Sequence, residues 1–314
     1  MIVKNYDIGW GPEWSMKHLE QELLDKFISK FRNDTSRTVV INSVWYHGDY
    51  HQQVVEELRT LQPTHIVVVA MLDPPTIKLE WFNEFNCEVI GIGYYPNSTV
   101  DYFAEFMNRF FQPPDCNLLN ANTIDTAYMC LNRKPHQHRV RLYQGLKDAN
   151  ILDRGFITMG GDPPIRVFED DVAGQYELAP NGGNEQYGIE NDIASLGNTL
   201  RWQRHFVNIV TETIWDIESC NFLSEKTFKP ILGLRPFLIY APNGGVECLK
   251  RRGFEPYVND FNDIVDIDLT QPYNIVEFLR VLSNQPCTYW QMKFNQLQEK
   301  LLFNREQFNK HVSK

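Results

Sequence analysis

The chain has 314 residues, is 43% hydrophobic and carries a formal charge of −10. That length allows two domains with separate cores, and the acidic balance argues against a general nucleic-acid binder, because phosphate affinity is built largely from Lys and Arg. Six cysteines, at 87, 116, 130, 220, 248 and 287, show no Cys-x-x-Cys spacing, which excludes a disulfide framework and predicts reduced thiols in a cytoplasmic protein.

Residues 1–8 read as a strand ended by the Gly9-Trp-Gly-Pro12 turn, and residues 15–31 have helical apolar spacing with Ser15 as N-cap. A strand over 38–45 leads to a helix over 51–61, stopped by Pro63. Residues 65–72, His-Ile-Val-Val-Val-Ala-Met-Leu, form the most apolar strand of this half. Such a β-branched run, apolar on both faces, belongs at the centre of a parallel sheet. A helix over 76–83, a strand over 88–92 and a helix over 100–111 continue the alternation of an open doubly wound sheet.

Gln112-Pro-Pro-Asp-Cys116 reads as a break between domains. Beyond it come a strand over 128–131, a basic loop over 132–138, a helix over 139–150 and a strand over 156–159. Residues 160–200 are rich in Gly, Pro, Asn and Asp and predict a long irregular excursion, with or without a short strand or helix in it. A strand over 206–211 follows, then a helix opened by Glu225, a Gly-x-Arg-Pro turn at 233–236, a buried strand over 236–240 and the Gly244-Gly245 loop. Helices are expected over 246–252 and 275–283, with a short element over 261–268. Apolar residues at Trp290, Phe294, Leu297, Leu301, Phe308 and Val312 mark one long amphipathic helix. Its polar face mixes Lys293, Lys300 and Arg305 with Glu299 and Glu306, which suits packing on protein rather than on a membrane. No run reaches transmembrane length. The expected fold is α/β: two Rossmann-like doubly wound domains, 1–120 and 121–288, with a terminal helix over 289–314 crossing back to the first.

The residues that point to chemistry lie at 222–239. Glu225 beside Lys226 at a helix N-terminus suits a ligand carrying both sugar hydroxyls and phosphates. The helix end supplies N–H groups and positive potential, Lys226 a point charge, and Glu225 an acceptor for a diol. Arg133, Lys134, Arg139 and Arg141 cluster at another helix start, where cations oppose the helix dipole and an anionic ligand would remove the conflict. In the first half, His47 and Asp49 follow one strand and Asp73 follows another, the positions where parallel sheets hold ligands. Each could be a general base toward an acceptor hydroxyl, or a turn residue; Glu80 is a weaker candidate. Gly9-x-Gly11 and Gly91-x-Gly93 do not complete Gly-x-Gly-x-x-Gly, so a dinucleotide fingerprint is absent. Glu169-Asp-Asp171 and Asp266-Ile-Asp268 read as solvated acids, and no metal or resident cofactor is expected.

The order Asn132, Arg139, a strand ending in Glu212, Ser224-Glu225-Lys226 and an apolar strand after Arg235-Pro236 resembles the nucleotide-binding half of the alpha-1,3-fucosyltransferase family and related GT-B glycosyltransferases. The likeness covers roughly residues 128–260. It implies an inverting, metal-independent transferase, with residues 1–120 on the acceptor side and 121–288 holding a nucleotide-sugar donor. By the same resemblance Arg139 and Lys226 contact the diphosphate, Glu225 the ribose hydroxyls, and Glu212 lies near the donor sugar. Asn132, Ser224 and Gly244 complete the expected donor site. Thr213 stands where fucosyltransferases usually carry Asn, so the donor sugar stays open. The acceptor is a glycan or another hydroxyl-bearing molecule, a modified DNA base included. The alternative is a catalytically inactive nucleotide- or nucleotide-sugar-binding protein of the same fold.

Overall fold

The computed structural model describes residues 2–5, 38–42, 51–70, 78–93, 98, 101–111, 113–132, 135–159, 165–166, 196–197, 199–212, 215, 223–241 and 244–312. They divide into two compact units, one reaching to Tyr102 and the other running from Phe103 onward.

The first unit holds strands β1 (Ile2–Asn5), β2 (Thr38–Asn42), β3 (His65–Ala70) and β4 (Glu88–Gly93), with helix α1 (His51–Leu61) between β2 and β3. All neighbours are parallel, in the order β1-β2-β3-β4. Val39, Ile41, Ile66 and Val68 pack with Val54 and Leu58 of α1. Val40, Val67 and Val69, on the opposite face, are equally buried, as central parallel strands require. Because sheet order follows chain order, the described strands step one way only. The doubly wound order expected here is therefore not found among them. The helix expected over 76–83 is seen, from residue 78 on, as a 3-10 turn at Leu79–Phe82 anchored by buried Phe82. The helix expected over 15–31 lies outside the described residues.

The second unit begins with α2 (Tyr102–Phe110), which clusters with it from Phe103 on rather than with the first. Its sheet contains β5 (Thr126–Asn132), β6 (Gly155–Met159), β7 (Ile165–Arg166), β8 (His205–Thr211) and β9 (Phe237–Tyr240), ordered β7-β6-β5-β8-β9. The two-residue β7 is an antiparallel edge; the other pairings are parallel. The chain winds outward from β5 to β6, returns to the other side of β5 as β8, and continues to β9. Winding thus reverses between β5 and β8, the switch point at which doubly wound sheets open a crevice. Helix α3 (Gln137–Asp148) follows β5, α4 (Thr199–Arg204) precedes β8, α5 (Glu225–Leu232) joins β8 to β9, and α6 (Gly245–Arg251) follows β9. The two-residue β7 falls within 160–200, where an irregular excursion with or without a short strand or helix is expected, and α4 begins at the end of that stretch.

Helices α7 (Ile275–Ser283) and α8 (Cys287–Val312) close the unit. Between α6 and α7, residues 261–268 form turns instead of the regular element expected there. The apolar stripe of α8 is buried as its spacing predicts, from Trp290 to Val312. Each fully buried side chain of this kind contributes about 1.5–3 kcal/mol. Phe308 meets Phe228 of α5 at 5.6 Å between ring centroids, so the terminal helix backs the helix that carries Glu225 and Lys226. Buried Asn304 clips α8 to the chain after α6: its Oδ1 accepts from the Glu255 N–H, and its Nδ2 donates to the Glu255 carbonyl and the Tyr257 hydroxyl.

Arg235, in the turn before β9, is wholly buried. Its Nη1 donates to the carbonyls of Leu118 and Leu234, and its guanidinium carbon lies 4.7 Å from the Phe294 ring centroid on α8. Leu234 beside it has φ +51°, a left-handed conformation that costs backbone energy in a non-glycine residue.

Candidate functional site

The register of the second sheet collects the candidate residues. Asn132 pairs with Met159 and Thr211 with Tyr240, and the β5–β8 register extended by three residues sets Asn132 opposite Thr211. These four residues form the last row of the sheet at its carboxyl edge, astride the switch point. Asn132, expected in a loop, is the final residue of β5 and is buried. Its Oδ1 accepts from the Thr211 hydroxyl, its Nδ2 donates to Cys130 Sγ, and its backbone N–H donates to Thr158 Oγ1. Asn132 therefore fastens three strands together at the carboxyl edge of the sheet.

Helix α3 is tied to the same row. Arg139, expected on a diphosphate, is 2% exposed, and its Nη2 donates to the Thr211 carbonyl at 3.0 Å. His138 donates through Nε2 to the Glu212 carbonyl at 2.9 Å. Its ring stacks on Trp215 at 5.0 Å, and Trp215 in turn lies 5.0 Å from Tyr240. This ring stack joins α3, the segment after β8 and the end of β9, and it is not anticipated from the sequence, in which His138 reads as part of a basic loop. Arg141 is exposed, and Arg133 and Lys134 lie outside the described residues.

Glu212 follows β8 and is 2% exposed. Its Oε1 accepts from the Ser224 N–H at 3.0 Å and from the Thr227 hydroxyl at 2.6 Å, and its Oε2 accepts from the Ser224 hydroxyl at 2.5 Å. Ser224 is the N-cap of α5, and its Oγ accepts from the Lys226 N–H. In a capping box the residue three beyond the N-cap returns a carboxylate to the N-cap N–H. Thr227 occupies that place here, and Glu212 supplies the carboxylate from the neighbouring strand. The α5 N-terminus was expected to offer its N–H groups to phosphate. Instead Glu212 takes the Ser224 N–H, and the Lys226 and Thr227 N–H groups go to Ser224 Oγ and O. Burial raises the Glu212 carboxyl above its usual range, against the pull of Lys226, Ser224 and Thr227.

Glu225 and Lys226 stand at the opening of α5 as an ion pair. The Glu225 side chain is 11% exposed and that of Lys226 27%. Burial alone would raise the Glu225 carboxyl, but the Lys226 ammonium, with Lys229, holds it below its ordinary value. The pair thus presents an ionised acceptor and a partly exposed cation at one edge. One strand away, Gly244 has φ +124°, and a Cβ there would meet nothing within 4 Å. It lines a cavity of about 200 Å³ with Ile239, Ala241, Gly245, Glu247 and Thr270.

The candidate bases His47, Asp49 and Asp73 lie outside the described residues, and Glu80 is exposed on its 3-10 turn. Asp268 caps its own turn by accepting from the Thr270 N–H and hydroxyl; Glu169-Asp-Asp171 is outside the described residues. Among the described residues no group of three or more His, Cys, Asp or Glu could hold a metal ion, and no helix is long and apolar enough to cross a membrane. The five described cysteines are free thiols. No protein-family model matches the chain, and no curated protein matches it.

Proposed function

We propose that this chain is a glycosyltransferase that moves a sugar from a nucleoside diphosphate donor to an acceptor hydroxyl, with the nucleotide taken by the second unit. The observation that carries the reading is the Glu225–Lys226 pair at the carboxyl edge of the second sheet, next to its switch point, where open α/β sheets bind ligands. A buried, ionised carboxylate accepts from vicinal ribose hydroxyls, and an adjacent ammonium meets phosphate oxygens. The cavity beside Gly244 leaves room on the same edge. The order of Asn132, Arg139, Glu212 and Ser224-Glu225-Lys226 favours a transferase of the alpha-1,3-fucosyltransferase kind. In that chemistry Lys226 stabilises the departing diphosphate, and Asp73, Asp49 or His47 deprotonates the acceptor.

A thermal-shift panel of UDP, GDP, CMP and dTDP on wild type, Glu225→Ala and Lys226→Ala tests this. A ligand at a hundred times its Kd stabilises by about 2.7 kcal/mol, a shift of several degrees. One nucleotide should stabilise the wild type, and both variants should respond less. No response in the wild type refutes the nucleotide reading, and equal responses in all three misplace the site. Binding without donor hydrolysis or transfer supports the inactive binding protein instead.

A further inference from the structure

We infer that Glu212 is a positioning residue: without touching the ligand, it docks the first turn of α5 onto the end of β8 and so sets where Glu225 and Lys226 stand. The inference rests on the nucleotide reading for its ligand, but its geometry is independent of it. All three groups that Glu212 holds belong to the turn carrying the pair: the Ser224 N–H, the Ser224 hydroxyl and the Thr227 hydroxyl. Ser224 and Thr227 are at most 1% exposed and Glu212 is 2% exposed. A carboxylate engaged this way faces the helix rather than the crevice. The far side is fixed as well, because the backbone carbonyls of Thr211 and Glu212 accept from Arg139 and His138 of α3. The carboxylate is therefore a strap between a strand end pinned by α3 and the helix end that presents Glu225 and Lys226. Sequence likeness puts Glu212 at the donor sugar; the hydrogen bonds assign it to the helix.

Two measurements test the strap on the full chain, using Glu212→Gln, Thr227→Val and the conservative Thr227→Ser. In the first, without ligand, hydrogen exchange is followed by mass spectrometry over residues 223–228. Loss of a buried hydrogen bond to Glu212 should speed exchange there on the order of tenfold in Glu212→Gln and Thr227→Val, with Thr227→Ser close to wild type. In the second, calorimetry measures Kd for whichever nucleotide of the panel binds wild type, and for its sugar-linked form. Both ligands should weaken by the same factor, on the order of tenfold, in Glu212→Gln and Thr227→Val, and neither in Thr227→Ser.

Unchanged exchange over 223–228 in Glu212→Gln overturns the inference whatever the ligand does. So does a Glu212→Gln variant that loses affinity for the sugar-linked form alone, since that is direct contact with the sugar. Faster exchange with undiminished nucleotide affinity also overturns it, leaving Glu212 a stability residue. If no nucleotide binds the wild type, the functional reading falls, while the exchange result still decides whether Glu212 holds the turn.

Discussion

Gly155 faces the ring of Tyr128 across the β5–β6 pairing, and Gly155→Ala probes how rigidly that pairing frames the candidate site. A Cβ at Gly155 would fall 2.3 Å from Cε2, 2.4 Å from Cζ and 2.6 Å from Cδ2 of the Tyr128 ring. Carbon atoms pack at about 3.5–4.0 Å, so the ring must retreat by roughly 1 Å. Tyr128 has no room for this: it is wholly buried, and its hydroxyl donates to the Ile151 carbonyl at 2.9 Å. Overpacking costs about 1–3 kcal/mol, and breaking the phenol hydrogen bond adds about 1 kcal/mol or more. The expected loss is about 2–4 kcal/mol, a fall in Tm of roughly 5–15 °C for a unit of this size. Urea or thermal unfolding of the variant reads it directly. Adding Tyr128→Leu removes the obstructing ring, so the double variant should lose less than the two single losses together. A Gly155→Ala protein within about 0.5 kcal/mol of wild type, or strict additivity in the cycle, would refute the reasoning.

The Glu225 carboxyl is depressed in the folded chain, so its contribution is present above the ordinary glutamate value of about 4.3 and is lost as pH falls through the lower folded value. The stability gap between wild type and Glu225→Gln should accordingly be constant near neutrality and close on acidification, as read by urea midpoints against pH. Asn304→Leu leaves the Glu255 backbone and the Tyr257 hydroxyl without their partner and should cost about 2–4 kcal/mol by equilibrium unfolding. Gly244→Ala forces an L-residue to φ +124° with nothing to strike. It should cost about 1–2 kcal/mol of backbone strain alone in the same unfolding assay.

Periodicity carried much of the architecture. The Val-rich 65–72 run announced a strand buried on both faces, Pro63 marked the end of α1, and the steps from Trp290 to Val312 marked the buried face of α8. The one-way winding of the first sheet was not legible, because alternation of strand and helix is the same for either winding. Asn132 read as a loop because Asn disfavours strands and Arg133-Lys134-Pro135 follows. Its place at the end of β5 depends on Thr158 and Thr211, far along the chain. Glu225 and Lys226 were legible as an acid–base pair at a helix start, and they form one. The destination of Glu212 was not, since an acid after a strand looks the same whether it meets a ligand or caps a helix twelve residues on. Thr227, standing where a capping box would carry Glu, was the one sign that the cap had to come from elsewhere.

Arg235 joins three stretches that are far apart in the chain: its own turn, the Leu118 carbonyl and the Phe294 ring. Until both partners are in place, its charge is better kept in water than in protein. Burying it before α8 arrives would strand a cation in an apolar site, so dehydration of Arg235 and docking of α8 are expected as one late step of folding. Contacts spanning such separations are slow to form because loop closure precedes any gain. On this expectation the turn that leads into β9 orders together with α8, so that variants loosening α8 at Phe294 should also loosen Arg235 and the start of β9.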